Sequence, residues 1–277
     1  MDTQYLLGLF GLQDKVTVVT GGGGVLCGCM AKALARAGAK VAVLDLNLEA
    51  AQKVAQDIRA GGNAGLAVQA DVLDQASLGQ ALTQISAQLG PVDVLVNGAG
   101  GNKKEATTSV DLSFFDLPRD AFQWVFNLNF LGTLLCCQVF GRPMAERDSG
   151  AILNIASLTA LRPLTNVPAY SAAKAAVVSL TQWLAVHMSH NYSKNIRVNA
   201  LAPGFFLTEQ NRYLLFDQET GEPTPRASAI LDHTPMARFG VPEDLIGVAL
   251  WLLSPSAAFT HGTVVTVDGG FNAFGGV

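Results

Sequence analysis

Tyr170 and Lys174 stand four residues apart in the stretch Pro168-Ala169-Tyr170-Ser171-Ala172-Ala173-Lys174-Ala175-Ala176. Pro168 marks a helix start and the alanines favour its continuation, so the spacing stacks the two side chains on one helical face. An ammonium near a phenol favours the ionised form, and so moves a group of pKa about 10 toward the range where it exchanges protons at neutral pH. The pair is a candidate acid/base device. Chance produces the same spacing in ordinary helices, so its meaning depends on the elements around it.

Those elements alternate. Lys15 to Thr20 is a β-branched run that reads as a buried strand, and Gly21-Gly22-Gly23-Gly24 turns it into a helix from Val25 to about Gly38. Strand, glycine turn and helix aim backbone N–H groups at a phosphate. A second strand, Lys40 to Asp45, ends in an acid placed to accept hydrogen bonds from the hydroxyls of an adenosine ribose. A carboxylate there repels a 2′-phosphate and favours NAD over NADP; the same residue could also be an ordinary strand-end cap.

Helices are expected at about 48–60 and 74–89, strands at 65–69 and 92–97, and a long apolar helix at 120–144. A fifth strand, 151–156, delivers Ser157. The helix carrying Tyr170 and Lys174 runs to about His190, and a sixth strand, 197–202, ends at Pro203-Gly204. Residues 205–240 lack strand periodicity, and a helix at 243–253 with a strand at 264–268 closes the chain. Residues 1–14 are expected to pack on the body through Leu6, Leu7, Leu9 and Phe10.

Seven strands alternating with helices, without a linker or a fixed-period repeat, predict one α/β domain over 1–277, a doubly wound parallel sheet of Rossmann type. Ligands of such sheets lie off the carboxyl ends of the strands. Gly21, Asp45, Asn97, Ser157 and Gly204 all follow or end strands there.

Bulk composition narrows the partners. A net charge of −4, with no basic tract, argues against nucleic acid or an anionic membrane surface. The longest clean apolar run, Leu245 to Leu253, falls short of the about 20 residues a membrane helix needs. With no signal-peptide pattern at the start, a soluble cytoplasmic protein is expected. The high hydrophobic share, 49%, with 14% charged residues, suits a large core and an oligomer. Cys27, Cys29, Cys136 and Cys137 match neither a disulfide framework nor a zinc site, and His187 with His190 lacks further ligands, so no metal is expected.

As a set, these residues resemble the short-chain dehydrogenase/reductase family over about Leu12 to Phe274. The set comprises Thr20-Gly21, Asp71, Asn97-Gly98-Ala99-Gly100, Asn129 with Gly132, Ser157, Tyr170 with Lys174, and Pro203-Gly204 leading to Thr208. The chain is most similar to bacterial sugar-acid oxidoreductases of the D-mannonate oxidoreductase (fructuronate reductase) type within that family. That narrower likeness rests on Thr20 to Gly28, Phe205 to Arg212 and Asp232-His233-Thr234-Pro235-Met236. Two departures stand out: the family loop Thr-Gly-x-x-x-Gly-x-Gly has Val25 and Cys27 at its last two glycine positions, and Asn97-Gly98 replaces a more usual pair of asparagines.

The resemblance implies an NAD(H) site at Gly21, Gly24, Val25 and Leu26 on the loop, with Asp45 on the ribose and Asp71 beside Val72 at the adenine. Asn97 and Ala99 would flank the cofactor at the central strand; Pro203, Gly204 and Thr208 would lie at its pyrophosphate or nicotinamide amide, and Tyr170 and Lys174 at the nicotinamide end. It further implies a catalytic set in which Tyr170 carries the proton, Lys174 tunes it, Ser157 holds the substrate oxygen and Asn129 anchors a water relay. A homotetramer acting on a small sugar acid is implied, with D-mannonate and D-fructuronate as the pair.

A sugar-acid carboxylate needs a cation or amide-rich pocket. Arg162 and Arg212 are the first candidates, followed by Asn211 and Lys103, and residues 205–240 are either a lid that orders on binding, a fixed surface loop or an oligomer contact. Two rivals remain open: a reductase of another carbonyl, such as 5-ketogluconate, a polyol or a 3-oxoacyl thioester, and a non-catalytic nucleotide-sensing regulator on the same fold.

Overall fold

The computed structural model describes residues 2–208, 212–217 and 220–276, with only the backbone of Tyr213 and Leu214. Its centre is a seven-stranded sheet in the order β3-β2-β1-β4-β5-β6-β7. The strands are β1 (Val16–Thr20), β2 (Lys40–Asp45), β3 (Gly65–Gln69), β4 (Val92–Asn97), β5 (Gly150–Ile155), β6 (Ile196–Pro203) and β7 (Val264–Val267), and every pairing is parallel. The order reverses between β1 and β4. That makes a crevice at their carboxyl ends, where Gly21 and Gly98 lie.

Helices cover both faces, which is why the inner strands read as continuous apolar runs. Val19, Val41 and Val43 pack under α2 (Val25–Arg36), α3 (Leu48–Ala60) and α10 (Ile246–Leu253), with Met30, Leu34, Ile58 and Leu252. On the other face Val18, Leu95 and Ile152 meet α4 (Gln75–Gln88), α6 (Gly132–Glu146) and α7 (Pro168–Asn191) through Leu78, Ile85, Phe140, Met144 and Leu184. The N-terminal helix α1 (Thr3–Phe10), capped by Asp2, buries none of its residues; Tyr5, Leu7 and Phe10 are exposed. The expected packing of 1–14 is therefore corrected at Leu7 and Phe10, which face solvent, while Leu6 and Leu9 are half-buried and Leu12 is buried in the core.

The long helix expected at 120–144 is α5 (Arg119–Phe126), a π-helical turn (Asn127–Leu131) and α6 in series. Together Arg119–Glu146 is long and apolar enough to cross a bilayer by length and composition. One face of it is nevertheless core, since Val125, Asn129, Cys136, Phe140 and Met144 are buried.

Residues 205–240 form a folded excursion. A parallel bridge joins Phe206 to Gly240 at its base, Phe216 bridges Pro223, and two short helices, α8 (Arg212–Leu215) and α9 (Pro225–Asp232), lie between. Leu215, Ala227, Ile230 and Phe239 give it a small apolar cluster of its own.

A buried polar chain fixes α7 against the sheet. Asn97 Nδ2 donates to Asn154 Oδ1 at 2.9 Å, Asn154 Nδ2 to Thr181 Oγ1 at 2.8 Å, and Thr181 Oγ1 to the Val177 carbonyl at 2.8 Å. All three side chains are buried. Thr181→Val keeps the shape and strands the Asn154 amide, so a loss of about 1–3 kcal/mol in denaturant unfolding is expected. An unchanged midpoint would show that the chain does not hold α7.

Candidate active site

The crevice is a cleft of about 470 Å³ running from Asp45 and Asp71 at one end to Ser157, Tyr170 and Lys174 at the other. Gly21 begins its floor in the left-handed region (φ 63°), where a Cβ would lie 2.8 Å from the Ala99 Cα. Conformation and space both demand glycine there. Gly24 caps α2 with no side-chain hydrogen bond, which leaves the first N–H groups of that helix turned to the cleft. Asp45 is held by two backbone donors, Gly23 N–H to Oδ2 at 3.0 Å and Asn47 N–H to Oδ1 at 2.9 Å, and each oxygen keeps lone pairs for sugar hydroxyls. Asp71 lines the same end, and its Oδ1 accepts from Leu73 N–H at 2.9 Å. An uncapped helix start, a glycine floor and a pinned acid form a cradle that fits a dinucleotide.

At the other end Ser157 follows β5 and Tyr170 follows the start of α7. The Ser157 hydroxyl lies near enough to act on the phenol. Burial pushes the Tyr170 phenol above its ordinary value, with the Ser157 hydroxyl pulling the other way. The expectation that Lys174 lowers the phenol is corrected for the protein alone: burial dominates and the phenol moves upward, while the ammonium, 5.6 Å from the ring centroid, donates to the Ile155 carbonyl at 2.7 Å. Lys174 is itself 3% exposed, and burial pulls it down to about 8.

Asn129 sits in the π-helical turn, fully buried. Its Nδ2 donates to the carbonyls of Gly101 (2.7 Å) and Val125 (2.8 Å), and its Oδ1 accepts from Gly101 N–H at 3.2 Å. The side chain thus clamps the segment after β4, and a Cβ on Gly100 would stand 2.5 Å from its Oδ1.

Gly21, Gly24, Val25, Leu26, Asp45, Asp71, Val72, Ala99, Pro203 and Gly204 all line the cleft. Asn97 does not. Its amide turns into the core toward Asn154 and Cys137, so its place is beneath the cleft floor, a correction to the expected cofactor contact. A second chamber of about 490 Å³ shares Val25, Leu26, Gly101, Tyr170 and Gly204 with the cleft and is closed by Phe205, Phe206, Thr208, Leu215, Arg226 and Ile230.

The expected carboxylate contacts are corrected as well. Arg162 donates to the Phe274 carbonyl (3.3 Å), Arg212 lies 5.3 Å from the Phe216 ring and Lys103 3.9 Å from the Trp124 ring, and none lines either space. Asn211 falls outside the described residues. The cation that does line the chamber, Arg226, was missed, although Thr224-Pro225 before it is a helix-start signal.

Cys27 was also not expected to line the cleft. It is 6% exposed, burial pushes its thiol up to about 12, and its sulfur occupies the space that a Cβ on Gly98 would need. The Cys27 and Gly98 departures are thus one packing solution, a larger residue at 27 admitted by a smaller one at 98, while Val25 is exposed and stands apart from it.

A dinucleotide cradle meeting a Ser–Tyr–Lys set defines a nicotinamide-dependent oxidoreductase. Residues 26–272 match the family model described as Enoyl-(Acyl carrier protein) reductase. The oxidoreductase UxuB of Bacillus subtilis (strain 168), itself uncharacterized, is 49% identical over 96% of this chain and 98% of its own. A crystal structure of a "putative D-Mannonate oxidoreductase" from Haemophilus influenza with bound NAD is 46% identical, with a TM-score of 0.91 over 96% of this chain and 98% of that one. The 7alpha-hydroxysteroid dehydrogenase of Escherichia coli (strain K12) is 33% identical over 94% of each chain. The chain belongs to the short-chain dehydrogenase/reductase family, and its cofactor is a nicotinamide dinucleotide.

Two outcomes follow from the packing. Gly98→Ala should cost about 1–3 kcal/mol alone and much less in a Cys27→Gly background; additive losses in denaturant unfolding would separate the two residues. Lys174 binds fewer protons folded than unfolded between its lowered value of about 8 and the ordinary 10.5, so the native state gains stability across that window. A Lys174→Met variant lacks this gain. Relative to the wild type it should fall by on the order of 3 kcal/mol as pH rises through the window, and parallel stability profiles would contradict the buried charge.

Proposed function

We propose that the protein interconverts a sugar-acid alcohol and its ketone, with D-mannonate and D-fructuronate as the pair and NAD(H) preferred over NADP(H). The observation that carries this reading is the continuity of the two spaces: the Tyr170 ring borders both the dinucleotide cleft and the chamber beneath the 205–240 excursion. The likeness to the Haemophilus protein supports the choice of substrate.

The bound cofactor supplies or accepts the hydride. Ser157 orients the substrate oxygen, and Tyr170 gives it a proton in reduction or takes one in oxidation. With burial holding the phenol in its neutral form, the protein rests as the proton donor that ketone reduction needs. Lys174, cationic below about pH 8, offsets charge on the phenolate after transfer. Asn129 keeps Gly101 and the neighbouring chain from closing over the site. Asp45 supports the preference for NAD(H), since its anchored carboxylate opposes a 2′-phosphate.

A homotetramer in the cytoplasm is part of the proposal. Trp183 and Val186 on α7, Tyr192 just past its end, and Phe259 are exposed apolar side chains suited to subunit contacts, and four free thiols suit a reducing compartment.

An assay of NADH and NADPH oxidation against D-fructuronate, D-tagaturonate, 5-ketogluconate and an acetoacetyl thioester tests the reading. D-fructuronate with NADH should give the highest kcat/KM, and Tyr170→Phe should abolish turnover with NADH binding retained. A thioester and NADPH as the best pair would instead assign the protein to acyl reduction, and wild-type rates in Tyr170→Phe would remove the proton carrier.

A further inference from the structure

Every described side chain lining the chamber is uncharged except one. Phe205, Phe206, Leu215 and Ile230 make its walls apolar, and Tyr170 and Thr208 bring hydroxyls; among the described residues Arg226 is the sole cation and no carboxylate lines the space. Arg226 is exposed at the chamber wall, so an anion entering the space meets one guanidinium there.

The backbone at Arg226 is firmly placed. Thr224 caps α9 by accepting from Ala227 N–H at 3.2 Å, and Pro225 fixes the first helical position. Ala227 and Ile230, on the inner side of the helix, are 0% and 7% exposed within the small apolar cluster. Arg226 is thereby turned outward along the chamber wall.

Its guanidinium also has nothing to hold. No described residue pairs with Arg226 or accepts a hydrogen bond from it, whereas Arg238 forks onto Asp244 at 2.6 and 3.1 Å and Arg162 is committed to a backbone carbonyl. A planar, five-donor cation left without an acceptor beside the proton carrier is suited to a carboxylate.

We propose that Arg226 anchors the substrate carboxylate and so sets the preference of the enzyme for anionic polyhydroxy ketones over neutral ones. The inference rests on the sugar-acid reading and assigns its specificity to α9. Arg226 would act in binding more than in the chemical step, because the carboxylate keeps its charge throughout the reaction.

The test compares D-fructuronate with D-fructose, which carries a hydroxymethyl group in place of the carboxylate, using full-length enzyme saturated with NADH. Arg226→Ala should lower kcat/KM for D-fructuronate by about 10- to 100-fold, mostly through KM, while leaving D-fructose and the KM for NADH unmoved. Arg226→Lys should recover part of the loss, and Arg162→Ala should behave as wild type. Equal losses on both ketones, no loss on either, or a matching rise in the KM for NADH would overturn the assignment. If the wild type favours a different sugar acid and the Arg226→Ala loss follows that acid, the inference stands and only D-fructuronate falls. If the wild type reduces D-fructose as well as any acid, both fall.

Discussion

An ammonium buried to 3% exposure, held to the Ile155 carbonyl one helical turn past a phenol, is the constraint around which the site is built. A charge so placed opposes folding, and the surrounding chain fixes where it sits. Below it, the Asn97–Asn154–Thr181 chain locks α7 to β4 and β5, so the helix cannot rotate to carry Lys174 toward solvent. Above it, glycine at 100 leaves room for the Asn129 amide, which is itself brought inward by the π-helical turn. Burial drives phenol and ammonium in opposite directions along the pH scale, each toward its neutral form. Both groups are thus held toward the neutral form in the protein alone, which is consistent with the proposed role of Tyr170 as a proton donor.

The cleft floor shows how such a site tolerates change. Close approach of backbone to ligand needs little bulk on the loop, and Cys27 reintroduces bulk at a position where glycine is usual in the family. Gly98, on the adjacent strand end, removes it again, because the sulfur fills the space a side chain there would occupy. With its thiol pushed up to about 12, Cys27 behaves as a small apolar residue and brings no charge to the pyrophosphate end of the cleft.

Much of this was legible in the sequence because it depends on period and punctuation. Strand residues such as Val18, Val43 and Val96 are buried on both sides of the sheet and read as apolar runs, and Gly21, Asp45 and Ser157 follow those runs directly. What was not legible depends on packing at a distance. The exposure of Leu7 and Phe10 beside half-buried Leu6 and Leu9 depends on which face of α1 meets the body, which local pattern does not encode. The π-helical turn at Asn127–Leu131 has no marker of its own. The sign of the shift at Tyr170 depends on how thoroughly the site is buried, whereas the four-residue spacing to Lys174 reports only proximity. Arg226 was hidden for a different reason: it lies far from any strand end, and Thr224-Pro225 opens only a short helix within a segment that lacks strand periodicity.

The separation between Tyr170 and Arg226 in the architecture has a functional corollary. Tyr170, Lys174, Ser157 and Asn129 are all fixed by the sheet and the helices packed directly on it, so their geometry is set by the main core. Arg226 and the apolar chamber walls are carried mostly by the 205–240 excursion, which has its own cluster of Leu215, Ala227, Ile230 and Phe239 and joins the body through the Phe206–Gly240 bridge. Substitutions in that excursion can alter the charge and volume of the chamber without disturbing the placement of Tyr170.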